Sequence, residues 1–172
     1  MKKRKEIPLD FEVDELSNSI SNALTGEIFE TEIVKLTNKD SKQIKKPDWV
    51  FDWHKELNDR SKEIFKLTTI HNPTIIHGLI SLSDQHDNIF MHLIENARFN
   101  TGANKLYKGV AGNLVAFGCK ISFENGFDGV AAFVAKSKLA EHYKLTLGAK
   151  QLSGNRMFID TNEAITLINS YF

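Results

Sequence analysis

Three short apolar runs, rich in β-branched residues, follow one another between Glu63 and Glu95 and limit the folds open to this chain. They read "EIFKLTTI", "TIIHGLISL" and "IFMHLIE", and only the polar stretches "HNP" and "SDQHDN" separate them. An Asn-Pro pair favours a turn, and short β-branched segments joined by turns are typical of hairpins. The pattern therefore predicts an antiparallel meander of three strands.

The segments after the meander add helices to this sheet. A helix is predicted from about Asn113 to Glu124, and the nearly continuous apolar run "GVAAFVA" predicts a central strand. "SKLAEHYKLTLGA" predicts a short helix ending at Gly148, "RMFI" a further strand, and "TNEAITLINSYF" a closing helix capped by Thr161. A meander followed by β-α-β-α-β predicts an α/β or α+β mixed sheet, with a parallel crossover at the glycine-rich turn.

Residues before the meander show weaker patterns. In "VDELSNSISNAL", residues 13–24, the apolar positions fall on one helical stripe and Gly26 follows as a stop. These stripe positions are Leu16, Ile20, Ala23 and Leu24. We therefore expect a single domain spanning residues 1–172, with residues 1–28 as an N-terminal helical extension. "FETEIVKL" alternates in polarity and predicts a short strand.

Composition limits the class of partner. Lys plus Arg and Asp plus Glu each number 22, and this balance argues against a surface that coats nucleic acid. No apolar stretch approaches the ~18 residues of a membrane span, and "MKKRKE" has no apolar segment behind it, so it is not a secretory signal. The single cysteine, Cys119, lies in an apolar run, which predicts a core residue in a cytoplasmic protein.

A glycine-rich turn precedes the predicted helix in "LYKGVAGNLVAFGCKISFENG". Gly109, Ala111 and Gly112 fall within four positions there, and a helix N-terminus with small residues is suited to bind a diphosphate, with Lys108 adding charge. A tight strand-to-helix turn would need the same small residues, so both interpretations stay open. The turn matches neither the Walker loop nor the complete dinucleotide fingerprint.

The order of elements, together with "YKGVAGNL" after "IFMHLIE" and "AEHYKLTLGA" after the next strand, resembles the GNAT superfamily of acyl-CoA N-acyltransferases. In that family an Arg/Gln-x-x-Gly-x-Gly/Ala loop wraps the CoA pyrophosphate. Gly109 and Ala111 match this loop, whereas Leu106 stands where Arg or Gln is usual. Tyr143, ahead of "LGA", matches the family's second signature, and the resemblance runs from about Ile64 to the C-terminus.

The resemblance implies a GNAT-like fold and an N-acetyltransferase that moves an acetyl group from acetyl-CoA to a primary amine. The amine would attack directly in a ternary complex. Tyr143 matches the family's general acid, which protonates the CoA sulfur. Glu95 ends the strand that often carries a glutamate in the family and is the candidate base, with His92 or water as alternatives. Each of these two residues also has a purely structural interpretation. Glu95 would then be a solvated carboxylate at a strand end, and Tyr143 would be a core residue.

The implied contacts with acetyl-CoA lie on three segments. They are Leu93, Ile94, Glu95, Lys108, Gly109, Val110, Ala111, Gly112, Asn113, Ser137 and Tyr143. The histidines lack His-x-x-x-His spacing, so no metal site is predicted.

The alternative function is a catalytically degenerate GNAT-like domain that acts as a CoA-binding or protein-interaction module, which Leu106 favours. The expected partners are acetyl-CoA and an amine of unknown identity, with no membrane, nucleic acid disfavoured and a homodimer allowed. Trp49, Phe51 and Trp53 either wall the amine pocket or pack together, and packing is the commoner use of such a cluster.

Overall fold

The computed structural model describes residues 6–15 and 19–172. Its strands are β1 (Ile20–Asn22), β2 (Ile28–Phe29), β3 (Thr31–Lys35), β4 (Glu63–Thr69), β5 (Gly78–Asp84), β6 (Ile89–Asn96), β7 (Tyr107–Lys108), β8 (Ala131–Val134), β9 (Lys150–Ser153) and β10 (Arg156–Ile159). Its helices are α1 (Trp53–Asn58), α2 (Val110–Glu124), α3 (Ala140–Leu147) and α4 (Thr161–Tyr171).

Seven strands form one mixed sheet in the order β3-β4-β5-β6-β8-β10-β9. β4, β5 and β6 pair antiparallel as neighbours, which confirms the predicted meander. β6 and β8 run parallel and α2 lies between them in the chain, which confirms the predicted crossover. The mixed sheet with helices is the fold class expected from the sequence. β2, β1 and β7 form a separate three-stranded sheet.

The sheet separates two cores because side chains alternate between its faces along each strand. On β5, Ile80 belongs to the larger core with α2 and α4, whereas its neighbour Leu79 belongs to the smaller core on the other face. Trp49 and Trp53 are buried in the smaller core and Phe51 packs against it, so the aromatic cluster packs. Burial of each such large side chain contributes about 1.5–3 kcal/mol.

The predicted N-terminal helix is wrong where the structure describes it. Ile20–Asn22 form β1, which pairs antiparallel with β2 and β7, and the side chain of Leu24 is exposed. Pairing with two strands overrides the helical periodicity of this segment, whose intrinsic preference is weak. Leu16, the first residue of the expected stripe, lies outside the described residues.

Two helix starts also differ from expectation. α2 begins at Val110 rather than near Asn113, because Gly109 adopts φ 92° and serves as the N-cap. Ala111 and Gly112 therefore lie in the first helical turn and not in the loop. The cap of α4 is Asp160, whose carboxylate accepts a hydrogen bond from the backbone N–H of Thr161.

Candidate active site

A gap opens in the sheet between β6 and β8. The two strands pair only at Ile89–Ala131 and Phe90–Ala132, although β6 continues to Asn96 and β8 to Val134. Beyond the last pair, each strand presents backbone groups that the other does not bind. We call the space between residues 91–96 and residues 133–136 the β6–β8 gap.

The register of β6 on β5 decides which backbone groups face this gap. Just past the end of the β5–β6 ladder, the N–H of Ala97 donates to the carbonyl of His77 at 2.9 Å. Hydrogen-bonded pairs alternate along an antiparallel ladder, so Glu95 and Leu93 are also hydrogen-bonded to β5. Backbone direction alternates along a strand, so Ile94 and Asn96 direct their N–H and C=O groups into the gap. Of the three residues predicted here, Ile94 faces the gap, whereas the backbone groups of Leu93 and Glu95 are directed toward β5. Asn96, which was not predicted, also faces the gap.

Glu95 binds the segment that leads into α1. Its carboxylate accepts hydrogen bonds from the backbone N–H groups of Val50 at 2.7 Å and Phe51 at 3.1 Å. A third comes from the indole Nε1 of Trp53 at 2.8 Å. Through these contacts Glu95 holds the start of α1 against β6. Its carboxylate is therefore not the solvated group at a strand end that the sequence offered as an alternative.

A β-bulge in β6 changes the side on which His92 lies. Met91 and Leu93 pair with successive residues of β5, so His92 between them is an extra residue. His92 therefore shares the face of Leu93 and Glu95. Its Nε2 lies 2.6 Å from Ser83 Oγ, and burial lowers the pKa of the imidazole to about 4.

A cleft of about 980 Å³ opens beside His92, between α1 and β6. Glu6, Glu56 and Lys62 line it together with His92. The Glu56 carboxylate accepts hydrogen bonds from Lys62 Nζ at 2.9 Å and from Ser81 Oγ at 2.7 Å. The walls thus carry both positive and negative groups, and two of these, Glu56 and Lys62, pair with each other.

Tyr143 lies on α3 with its ring fully buried. Its hydroxyl donates a hydrogen bond to the backbone carbonyl of Phe11 at 2.7 Å, and burial raises the pKa of this phenol well above its usual range. Phe11 belongs to residues 6–15, which have no helix and run from the edge of β8 to the start of α2. The predicted acid is therefore buried and donates to the backbone of another segment.

The first turn of α2 is covered by the chain itself. The Gly109 N–H donates to the Asp14 carboxylate at 3.0 Å, and Lys105 Nζ donates to the same carboxylate at 2.9 Å. Asn113 Nδ2 donates to the backbone carbonyl of Ser19 at 2.7 Å. A carboxylate thus lies where the helix N-terminus favours an anion.

The remaining predicted contacts divide between the turn and α3. Val110, Ala111 and Gly112 are buried in the first turn of α2, and Lys108 lies in β7 as the partner of Ser21. Ser137, also predicted to contact acetyl-CoA, accepts a hydrogen bond at its hydroxyl from Asn155 Nδ2 at 3.3 Å. Cys119 is buried, as predicted, and burial raises the pKa of its thiol to about 12.

The described residues contain no helix long and apolar enough to cross a membrane. In the same residues, no three His, Cys, Asp or Glu side chains come together in a way that could hold a metal ion.

Comparison by sequence finds no matching family model and no matching curated protein. Comparison of structures does find similar folds. A mutant AtaT toxin, solved with the C-terminus of the antitoxin AtaR and acetyl-CoA, aligns with a TM-score of 0.56 at 15% identity over 80% of this chain and 97% of the toxin. Spermidine N-acetyltransferase from Vibrio cholerae, in complex with CoA and spermine, gives 0.52 at 16% identity over 78% and 98%.

A third structure, the KacTA–DNA complex, aligns with a TM-score of 0.55 at 14% identity over 81% of this chain and 99% of the other. At such low identity these likenesses establish the fold. The GNAT-like architecture that the sequence motifs implied is therefore confirmed, and this chain shares its fold with solved acetyltransferases such as the one from Vibrio cholerae.

Proposed function

We propose that this protein transfers an acetyl group from acetyl-CoA to a primary amine. The proposal rests on the position of the Tyr143 hydroxyl. It donates to the carbonyl of Phe11, in a segment that lies along the edge of β8. A hydroxyl in this position can serve a thioester that enters the β6–β8 gap. The fold supports the proposal, because solved proteins that share it include a spermidine N-acetyltransferase bound to CoA.

In the proposed reaction the amine nitrogen attacks the thioester carbon, a C–N bond forms and the C–S bond breaks. Tyr143 gives its proton to the departing sulfur; burial raises the pKa of its phenol, so the proton is present at neutral pH. The backbone N–H of Ile94 faces the gap and can polarise the thioester carbonyl. The amine enters through the cleft beside His92.

The amine must also lose a proton, which at pH 7 costs about 4–5 kcal/mol for an amine of pKa near 10.4. The oxygens of Glu95 already accept three hydrogen bonds, and His92, whose pKa burial lowers to about 4, is a weak base for an ammonium. Water is therefore the better-supported proton acceptor, with His92 as the alternative. The two differ in pH dependence. With His92 as base, kcat/KM is flat above about pH 5, because burial lowers the pKa of His92 to about 4. With water, kcat/KM rises tenfold per pH unit up to the pKa of the amine.

A second candidate function is a CoA-binding or protein-interaction module without catalysis. Two observations favour it. Leu106 replaces the Arg or Gln that the family loop carries, and its side chain is half exposed without a charge to offer a phosphate. Residues 9–14 also occupy positions that catalysis would need, because they contact the edge of β8, the Tyr143 hydroxyl and the first turn of α2. Binding of CoA without turnover on any amine would favour this candidate.

The test is a thermal melt with and without acetyl-CoA, with dephospho-CoA and ATP as controls. Ligand at about 100 times Kd adds ~2.7 kcal/mol, or roughly 5–10 °C in Tm for a domain of this size. A shift with acetyl-CoA and none with ATP supports the cofactor site. Release of free thiol with a panel of amines then tests the transfer, and a flat melt at millimolar acetyl-CoA contradicts the proposal.

A further inference from the structure

We infer that residues 6–15, which we call the strap, occupy the acyl-CoA groove and must leave it before acyl-CoA binds. The inference rests on the function proposed above. The strap passes three places that the proposed reaction requires, namely the edge of β8, the hydroxyl of Tyr143 and the first turn of α2. Each contact is made by a different strap residue.

The first contact adds the strap to the sheet. Leu9 forms a parallel bridge with Ala135: its N–H donates to the carbonyl of Val134 at 2.6 Å, and its carbonyl accepts from the N–H of Lys136 at 3.1 Å. β10 pairs with the other edge of β8. Leu9 therefore lies on the edge that faces β6, just past the point where the β6–β8 ladder ends. An extended ligand would add to the sheet at this edge.

The second contact occupies the proposed acid. The carbonyl of Phe11 accepts the hydrogen bond of the Tyr143 hydroxyl, and the two rings lie 5.1 Å apart between centroids. The N–H of Val13 donates to Nε2 of His142 at 2.8 Å on the same helix. With the strap in place, the Tyr143 hydroxyl donates to a peptide carbonyl and is not available to a thiolate.

The third contact places an anion at the start of α2. Asp14 accepts from the Gly109 N–H and pairs with Lys105, so one carboxylate takes a backbone donor and a cation that a phosphate would use. The negative charge of Asp14 would also repel a phosphate that approached this turn. Acyl-CoA and Asp14 therefore cannot share the position.

The strap combines firm and weak attachments. Leu9, Phe11 and Val13 are buried, and they alternate with the acidic residues of "LDFEVD". Its outer part is held by exposed ion pairs, Glu6 with Arg156 and Asp10 with Lys136. Such exposed pairs contribute little to stability and weaken with salt. A segment held in this way can be displaced by a ligand that binds the same edge and the same helix.

Displacement has a quantitative consequence. If only a fraction of the molecules has an open groove, the apparent Kd for acyl-CoA equals the intrinsic Kd divided by that fraction. Any change that weakens the strap without replacing a residue of the groove walls should therefore tighten acyl-CoA binding. Asp14 offers such a change, because its side chain belongs to the strap and not to the sheet or to α2.

The experiment titrates acetyl-CoA into the full chain and its Asp14→Ala variant by calorimetry. Asp14→Asn, which keeps an oxygen for the Gly109 N–H, serves as a milder second variant. Glu12→Ala is the matched control, since Glu12 is an exposed acidic residue of the same strap. We expect Asp14→Ala to lower the Kd about tenfold, which corresponds to about 1.4 kcal/mol, and Glu12→Ala to leave it within about twofold.

Hydrogen exchange of residues 6–15 provides a readout independent of activity. The N–H groups of Leu9 and Val13 are hydrogen-bonded in the strap, so we expect them to be protected without ligand and to lose protection at saturating acetyl-CoA. Persistent protection with bound acetyl-CoA overturns the inference, even if Asp14→Ala binds more tightly, because the effect would then be one of charge alone.

Failure of this inference can be distinguished from failure of the proposed function. Equal acetyl-CoA affinity in all variants, with the strap still protected, overturns the strap as a competitor but leaves acetyl-CoA binding intact. Absence of acetyl-CoA binding by every folded variant, including Asp14→Ala, contradicts the proposed function and the inference together.

Discussion

The phenol ring of Tyr171 fills the space that a side chain on Gly112 would need. A Cβ built at position 112 would overlap the Tyr171 hydroxyl, which itself donates to the backbone carbonyl of Glu15. Packing of α4 against the first turn of α2 thus accounts for the smallness of residue 112. Gly109 has a different reason, because its φ of 92° suits glycine and a Cβ there would lie 3.0 Å from the carbonyl of Ser19.

Gly112→Ala should therefore lower the free energy of unfolding by about 1–3 kcal/mol, the usual cost of overpacking a core. Alanine is otherwise favoured over glycine inside a helix by up to ~1 kcal/mol. Gly118→Ala is the matched control, since it lies in the same helix and its Cβ would meet only the flexible Met91 side chain closely. Urea unfolding of the three proteins measures the difference, and equal stability of the two variants would contradict the packing role of Tyr171.

Tyr143→Phe separates a catalytic from a structural role for the phenol. As the general acid, its loss should lower kcat tenfold or more, within the ~10²–10⁴ range of such groups. The same change removes the hydrogen bond to Phe11 and loosens the strap, so binding of acetyl-CoA should be unchanged or tighter. Steady-state kinetics with the best amine of the panel, together with calorimetry, gives both quantities. An unchanged kcat excludes Tyr143 from proton transfer.

Glu95→Gln tests whether this residue fixes α1 or takes the amine proton. Three N–H groups meet its carboxylate, and a charged acceptor contributes about 1.5–3 kcal/mol to a hydrogen bond. We expect the free energy of unfolding to fall by about this amount, while kcat of the folded enzyme changes little. Glu63→Gln, an exposed carboxylate on β4, is the control and should alter neither. A loss of kcat of a hundredfold with unchanged stability would instead support Glu95 as the base.

Acid should destabilise the fold between about pH 6.5 and pH 4 through His77. Burial lowers the pKa of this imidazole from 6.5 to about 4, so in this window the unfolded chain binds a proton that the folded protein does not. Stability is then full above pH 6.5 and falls as the pH drops, by at most about 3 kcal/mol for this group. His92 titrates in the same direction and adds to the fall.

The measurement is urea unfolding from pH 7 to pH 4 for wild type, His77→Gln and His86→Gln. His86 is the matched control because its side chain is 97% exposed. His77→Gln should reduce the slope of stability against pH, whereas His86→Gln should leave it as in the wild type. A wild-type profile without slope across this window would show that His77 ionises freely in the folded protein.

Much of the fold could be predicted because its signals are local. The meander, α2, α3, β10 and α4 each carry an apolar period of their own in the sequence. β9 carries none: all four residues of Lys150–Ser153 are exposed, and the strand exists because β10 pairs with it. β1 and β7 are two or three residues long and pair across the chain, which local periodicity does not reveal.

The candidate site was predictable only in part. Tyr143 and the turn at Gly109 could be identified from their neighbours in sequence. The use of Glu95 as an anchor depends on a segment 42 to 45 residues away, and the orientation of His92 depends on a bulge that no residue type marks. The strap did leave a signal, since "LDFEVD" alternates apolar and acidic residues as a strand does, but the helix predicted over residues 13–24 overlaps its end and indicated a different structure.

The strap also sets the order in which the protein can fold. Val13 and Phe11 bind partners 129 and 132 residues further along the chain, on an element made long after the strap itself. Contacts of such separation form late, because loop closure must precede them. During synthesis on the ribosome, residues 6–15 therefore cannot dock until α3, which carries these partners, has been made. The strap is thus synthesised before the elements that bind it and docks late.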